Sequence, residues 1–389
     1  MKASVLHITS KGSSQFHVCP TGLRLKEFHL GLGLVRDIQT EPVALREVKL
    51  VFIGFGTVAQ GCARHLLHNR SFLKEQRGFA YKVVGIADTV KGSVQNNEKG
   101  VDLSKTLELV AKGKKLDNGD LPGKRGLSSL ETMKSSDADV VVEATWTNLK
   151  DGEPGLTHIV AALESGFDVV TSNKGPIALH YRMVTELAKS KGRQLRFEST
   201  VMSGTPVFNL YECGLTGARV NGLRGILNGT TNYILTEMAA GKSYDDTLRH
   251  AQQLGYAEAE PSGDVEGYDP AAKITILANA LMDANVNFSD VVREGITHLT
   301  FDEIRKAEQA SKRIKLLASA VRGQEGRVAA SVRPTLIPQT DILAHVSGVM
   351  NALQIATNVQ PDVTIMGPGA GGDSAGYGLL NDILSISRP

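Results

Sequence analysis

The run Val48-Lys49-Leu50-Val51-Phe52-Ile53 is short, apolar and rich in β-branched residues, and it stops at Gly54. Beyond it, apolar positions recur at Val58, Cys62, Ala63, Leu66 and Leu67. That change of period predicts a strand, a tight turn and an amphipathic helix. The grammar repeats, with strands expected at Tyr81 to Ala87, Val140 to Glu143, Asp168 to Thr171 and Leu195 to Phe197, and helices at Leu156 to Ser165 and near Tyr181 to Lys189. Alternating β and α predicts an α/β fold with a doubly wound parallel sheet. Past Glu198 the pattern changes to glycine-rich turns and long helices, at Asn232 to Ala240, Tyr244 to Leu254, Pro270 to Leu281 and Asp302 to Leu317. Short strands follow around Arg327 to Pro338 and Val359 to Met366. A second, α+β domain is therefore expected. The division is an N-terminal extension over 1–47 without sustained period, a first domain over 48–200, and a second over 201–371. The tail 372–389, helical from Ser374 to Ser387, returns to cover the first sheet.

Length changes this picture little, since 389 residues suit two or three domains. Charge narrows the partners: 43 basic and 41 acidic side chains are spread along the chain, for a net +2. With no basic stripe, neither nucleic acid nor a membrane surface is expected, and a small-molecule partner is. Cys19, Cys62 and Cys213 are odd in number and far apart, which argues against a disulfide framework or zinc knuckle and for a reducing compartment. No apolar run approaches the roughly 18 residues of a membrane span, and no secretory pattern opens the chain, so a cytoplasmic location is expected.

Candidate chemistry begins at Gly54-Phe55-Gly56-Thr57-Val58-Ala59, a G-x-G-x-x-A between a predicted strand and helix. The first glycine permits the turn, and the second lets backbone approach a pyrophosphate. The helix N-terminus at Thr57 and Val58 then aims free N–H groups and its positive dipole end at that anion. The first domain is thus Rossmann-like. Asp88 closes the second strand and is placed to accept from a ribose 2′-hydroxyl, which favours NAD, while Lys91 offsets its repulsion of a 2′-phosphate. The choice between NAD and NADP stays open here. In the second domain, Gly255 to Lys273 carries Glu258, Glu260, Asp264, Glu266 and Asp269 ahead of one lysine. Asp269 is expected as N-cap and Pro270 as first helical residue, which puts Lys273 one turn further on the same face. Such a pair can bind a substrate amino group and pass a proton to an oxygen. The plainer alternative is an exposed ion pair contributing about 0.3–0.5 kcal/mol, but the preceding acids exceed what a solvated turn requires.

Three motifs, Gly255-Tyr256-Ala257-Glu258 through Asp269 to Lys273, Gly225-Ile226-Leu227-Asn228-Gly229-Thr230-Thr231-Asn232-Tyr233-Ile234-Leu235 and Val170-Thr171-Ser172-Asn173-Lys174-Gly175-Pro176, together resemble homoserine dehydrogenase. The likeness runs from about Val48 to the C-terminus. It implies interconversion of L-homoserine and L-aspartate 4-semialdehyde with NAD or NADP, within threonine, methionine and isoleucine biosynthesis. Lys273 corresponds to the catalytic acid/base and Asp269 to its partner at the substrate. Lys174 corresponds to a second active-site lysine that touches cofactor and substrate. Glu258 and Asp264 correspond to substrate-binding acids; Gly255, Thr147, Ser172 and Gly371 lie at cofactor positions. Glu198-Ser199-Thr200-Val201-Met202-Ser203-Gly204-Thr205 resembles the family's monovalent-cation loop, where the Glu198 carboxylate and the carbonyls of Val201, Ser203 and Thr205 would hold sodium, hard oxygen ligands suited to such an ion. The resemblance also implies a homodimer formed through the second, catalytic and dimerisation domain. Trp146-Thr147-Asn148 departs from the family, which often has Pro before the Thr, and the extra C-terminal regulatory domain of many members is lacking, so no threonine feedback is expected. Two rivals remain: a phosphate-dependent aspartate-semialdehyde dehydrogenase, for which Cys213 would be the nucleophile, and a nucleotide-sensing protein that has lost its chemistry.

Overall fold

The computed structural model describes residues 45–387. The expected extension therefore lies outside the described residues apart from its last three positions, as do Cys19 and the end of the tail. The first strand begins at Arg46, two residues ahead of the expected boundary.

Two sheets organise the chain. The first runs in the order β4-β3-β2-β1-β5-β6-β7, with β1 Arg46–Ile53, β2 Phe79–Asp88, β3 Gly92–Gln95, β4 Lys124–Arg125, β5 Val140–Glu143, β6 Asp168–Thr171 and β7 Leu195–Arg196. β1 pairs in parallel with β2 and β5, and β6 and β7 continue in parallel. Leu50 to Ile53 are fully buried because helices cover both faces, which is why this stretch shows no period of two. Leu50 and Phe52 meet Ala59, Cys62, Leu379 and Ile383, whereas Val51 and Ile53 meet Met133, Ile159 and Val184. The expected parallel sheet is corrected at one edge, where β3 and β4 pair antiparallel. They are too short, and too poor in apolar residues, to carry a readable pattern.

The second sheet is mixed and runs in the order β13-β12-β8-β10-β11-β9, with β8 Val220–Ile226, β9 Val292–Arg293, β10 Lys312–Arg322, β11 Val328–Pro338, β12 Met350–Thr357 and β13 Val363–Pro368. Ile274, Leu277 and Ala278 of the helix Tyr268–Met282 pack with Leu223, Leu316, Ala318 and Leu353 of this sheet. The expected helix from Asp302 to Leu317 is corrected. Helix Phe301–Gln309 ends at Ala310, Ser311 takes a left-handed φ of 55°, and the chain enters β10. There Leu316, Ala318 and Ala320 face the core on alternate positions, so the sheet register overrides the helical propensity of the Lys and Leu residues.

Helix Gly372–Ile386 returns to the first domain and lies against helix Thr57–His68 at glycine-to-glycine contact. A Cβ on Gly61 would come within 2.4 Å of Gly372 O, and one on Gly376 within 2.3 Å of Cys62 N. Farther along, buried Asp382 accepts from Glu198 N at 2.7 Å and from Asn209 Nδ2 at 3.1 Å. Burial, and then the Glu198 charge, push the Asp382 carboxyl up to about 8. A carboxyl raised in the folded state contributes stability that is complete below its unfolded value of about 3.9 and is lost as pH climbs through the folded value. Calorimetry should therefore show Tm falling from pH 6 to pH 8. In Asp382→Asn, which cannot ionise, that decline should flatten even though the variant starts lower, because its amide meets the Asn209 amide; an equally steep decline would contradict the assignment.

Candidate active site

The turn after β1 is built for a diphosphate. Gly54 holds φ +84°, and a Cβ there would stand 2.6 Å from the Ala144 carbonyl, so only glycine fits. At Gly56 a Cβ would meet nothing within 4 Å among the described residues, which leaves the backbone open to a ligand. Gly56 caps helix Thr57–His68 without a side-chain bond, so the first N–H groups face the cleft unspent. These features fit a nicotinamide dinucleotide. Asp88, at the end of β2, accepts from Phe55 N at 2.8 Å and from Val90 N and Lys91 N at 2.9 Å, with Lys91 Nζ 3.8 Å away. Burial opposes its charge, but the three N–H bonds and Lys91 outweigh it and hold the carboxyl below its ordinary range.

The same cleft, of about 1160 Å³, is lined by Gly54, Gly56, Thr57, Val58, Asp88, Thr147, Ser172, Lys174, Gly255, Glu258, Asp264, Asp269, Lys273 and Gly371. All the residues expected to hold cofactor and substrate thus meet in one space. Lys174 is the first residue of helix Lys174–Ser190, whose cap Asn173 accepts from Gly175 N. Lys273 is buried, with Nζ 2.7 Å from both Asp269 Oδ2 and Leu227 O. Lys174 Nζ stands 3.6 Å from Asp269 Oδ1. One carboxylate therefore sits between two ammoniums. Burial would raise Asp269, but Lys273 and Lys174 prevail and take it down to about 2. Burial pulls Lys174 below the usual lysine range; Asp269 opposes this and Lys273 adds to it. Asp264 is pushed up by burial and by the neighbouring Asp269 charge.

The expected N-cap is corrected. Gly267, at φ +79°, caps the helix, Tyr268 opens it, and Asp269 is its second residue. The left-handed glycine starts the helix two residues early and frees the Asp269 carboxylate for Lys273. Asn228 was not singled out by the sequence reading, although its side chain organises the acids. It caps helix Gly229–Ala239 through Thr231 N, while its Nδ2 donates to Asp264 Oδ1 at 2.6 Å and Asp269 Oδ2 at 3.0 Å. The Asn-Gly pair ahead of a helical period is the signal that could have pointed to a cap there. His158 and Glu143 were also missed. Both are buried, His158 lines the cleft, and its Nδ1 is 3.7 Å from Glu143 Oε1.

Ser203 reaches the cleft wall, whereas Glu198, Val201 and Thr205 are buried beside it. Glu198 Oε1 accepts from Val207 N and Phe208 N, and Oε2 from Asn209 N and Nδ2. That uses the roughly four acceptor positions of a carboxylate. Met202 and Ser203 both hold left-handed φ, at 55° and 59°.

A dinucleotide-binding turn that shares its cleft with a lysine–carboxylate–lysine array defines an NAD(P)-dependent oxidoreductase. Two family models match, homoserine dehydrogenase over residues 206–384 and its NAD-binding domain over residues 54–198. The NAD(+)-dependent homoserine dehydrogenase of Pseudomonas canavaninivorans is 40% identical over 88% of this chain and 97% of its own. That of Methanocaldococcus jannaschii is 38% identical over 87% and 98%. Among solved structures, a homoserine dehydrogenase from Thiobacillus denitrificans superposes with TM-score 0.76 at 32% identity, covering 89% of this chain and 74% of that one. A hyperthermophilic archaeal homoserine dehydrogenase mutant in complex with NADPH superposes at 0.75 and 28%, covering 88% and 99%. The chain belongs to the homoserine dehydrogenase family.

Proposed function

We propose that Lys273 moves the proton and Lys174 and Asp269 orient the substrate in the interconversion of homoserine and aspartate semialdehyde. The observation that carries this reading is the single carboxylate held between two lysines in the cleft that also opens onto Gly54 and Gly56. The nicotinamide supplies or accepts the hydride. As an ammonium, Lys273 donates to the aldehyde oxygen as C4 gains hydride; as an amine, it takes the proton of the homoserine hydroxyl in the reverse direction. Two of its three N–H donors are spent on Asp269 and Leu227, and the third serves the substrate oxygen. Glu258 and Asp264 suit the substrate ammonium, and Asn228 keeps Asp264 turned toward it. Gly54, Gly56, Thr57 and Val58 take the diphosphate. Thr147, Ser172, Gly255 and Gly371 complete the cofactor's surroundings.

Asp88 repels a 2′-phosphate, which favours NAD over NADP, in line with the name of the Pseudomonas canavaninivorans relative. A sodium ion is held by the carbonyls of Val201, Ser203 and Thr205. Glu198, its carboxylate engaged elsewhere, supports that loop, which turns sharply at the paired left-handed residues Met202 and Ser203. The chain works as a homodimer through its second sheet, whose exposed Val292, Val321, Leu336 and Met366 offer apolar surface for a partner copy. Among the described residues no helix is long and apolar enough to cross a membrane, and we place the protein in the cytoplasm.

The test follows nicotinamide reduction with homoserine and each cofactor. We expect homoserine-dependent turnover, with kcat/KM higher for NAD than for NADP, that survives thiol alkylation. No dependence on homoserine with either cofactor would overturn the reading, and loss on alkylation would favour a cysteine nucleophile.

A further inference from the structure

We propose that a second cavity, between the end of helix Gly229–Ala239 and the start of β10, binds a small carboxylate with an aliphatic tail and weakens substrate binding through Asn232. The cavity measures about 400 Å³. Lys315 lines it and is 5% exposed, yet among the described residues its Nζ bonds only neutral acceptors, Asn232 Oδ1 at 3.0 Å and Val346 O at 2.5 Å. Glu308, the acid on the cavity wall, is paired with Arg313. A buried ammonium without a counter-charge is costly, and an incoming anion that draws the ammonium toward itself relieves that cost. Burial, with Arg313 adding, pulls Lys315 down to about 8, as expected of a cation awaiting an anion. Leu235, Ala239, Ile304, Ile314 and Ala344 supply the apolar wall for a short alkyl chain.

The coupling follows from Asn232. Its Oδ1 accepts from Lys315, while its Nδ2 donates to Gly348 O at 3.0 Å and Met350 O at 3.1 Å. Val349, between those residues, lines the active cleft, and its carbonyl lies 2.7 Å from where a Cβ on Gly229 would stand. Asn232 is also one helical turn beyond Asn228, which holds Asp264 and Asp269. A carboxylate that takes the Lys315 ammonium competes with Asn232 for it. Freed from the lysine, Asn232 loosens both the Gly348–Met350 segment and the helix whose cap orders the acids.

Butyrate is the probe, titrated calorimetrically into the full chain. We expect saturable binding that is retained in Lys174→Met, which alters only the active cleft, and weakened at least about tenfold in Lys315→Met. Ala239→Leu fills the cavity at a half-exposed helical position without touching the lysine, and it should abolish the same binding even if Lys315→Met fails to fold. In the wild type, butyrate should raise the homoserine KM about fivefold, within the usual range of coupling between sites, and Ala239→Leu should remove that effect while keeping its basal KM. Absence of saturable binding by the wild type, unchanged binding in Ala239→Leu, or loss of binding in Lys174→Met alone would each overturn the proposal. The binding arm assumes nothing about the reaction, so it stands apart from the dehydrogenase assay.

Discussion

Replacing Lys273 by Met should lower turnover by about 10²–10⁴ while leaving dinucleotide affinity within a few fold, because general acid–base catalysis supplies that range of rate. Met keeps the length of the buried stem, so the space it fills in helix Tyr268–Met282 stays filled. The change leaves Leu227 O and the Asp269 carboxylate short of a donor. Lys174, 3.6 Å from the carboxylate, still neutralises it. In the proposed roles Lys174 orients the substrate and Lys273 carries the proton, so the loss should fall on kcat more than on the homoserine KM. Steady-state kinetics with saturating cofactor, beside fluorescence titration of the reduced dinucleotide, separates the two. Turnover near that of the wild type would reject Lys273 as the proton carrier, and loss of dinucleotide binding would show that the substitution had damaged the cleft.

The parts of this site legible in the sequence are those set by local rules. A glycine pair between an apolar run and a helical period announces the turn at Gly54 and Gly56, because only close backbone approach demands two such residues there. Lys273 was legible by its spacing from Asp269, which holds whether the helix opens at Tyr268 or at Pro270. What stayed hidden depends on distant segments. Asn228 acquires its role only when the chain brings in Asp264 and Asp269, 36 and 41 residues away. The strand from Lys312 was masked by a composition that suits a helix. Only its alignment against β11, from Lys312 opposite Pro338 to Arg322 opposite Val328, decides its conformation. A lone serine is a weaker turn signal than glycine or proline, so the left-handed turn at Ser311 gave little warning.

Asp269→Ala should be damaging in a different way, since it leaves two ammoniums in one largely buried space without the charge that reconciles them. Removing one partner of a buried pair costs about 3–5 kcal/mol, and the 19% exposure of this carboxylate calls for less than that. The stability loss carries a pH signature. Asp269 is depressed to about 2 in the folded state, so its contribution is present above its unfolded value of about 3.9 and lost as pH falls toward the folded one. The Tm gap between wild type and Asp269→Ala should therefore be full at pH 6 and should narrow below pH 4. Activity should fall by roughly 10²-fold, the penalty of a misplaced catalytic group. The carboxylate also supports the charge on Lys174 against burial and Lys273. Without it, Lys174 loses its proton at lower pH, and the alkaline limb of kcat/KM for semialdehyde reduction should move toward acid. Asp269→Asn can still accept from Lys273 but carries no charge, so it should restore geometry and part of the turnover while keeping the shifted limb. An unshifted pH profile in both variants would mean that Asp269 acts on Lys273 by position alone.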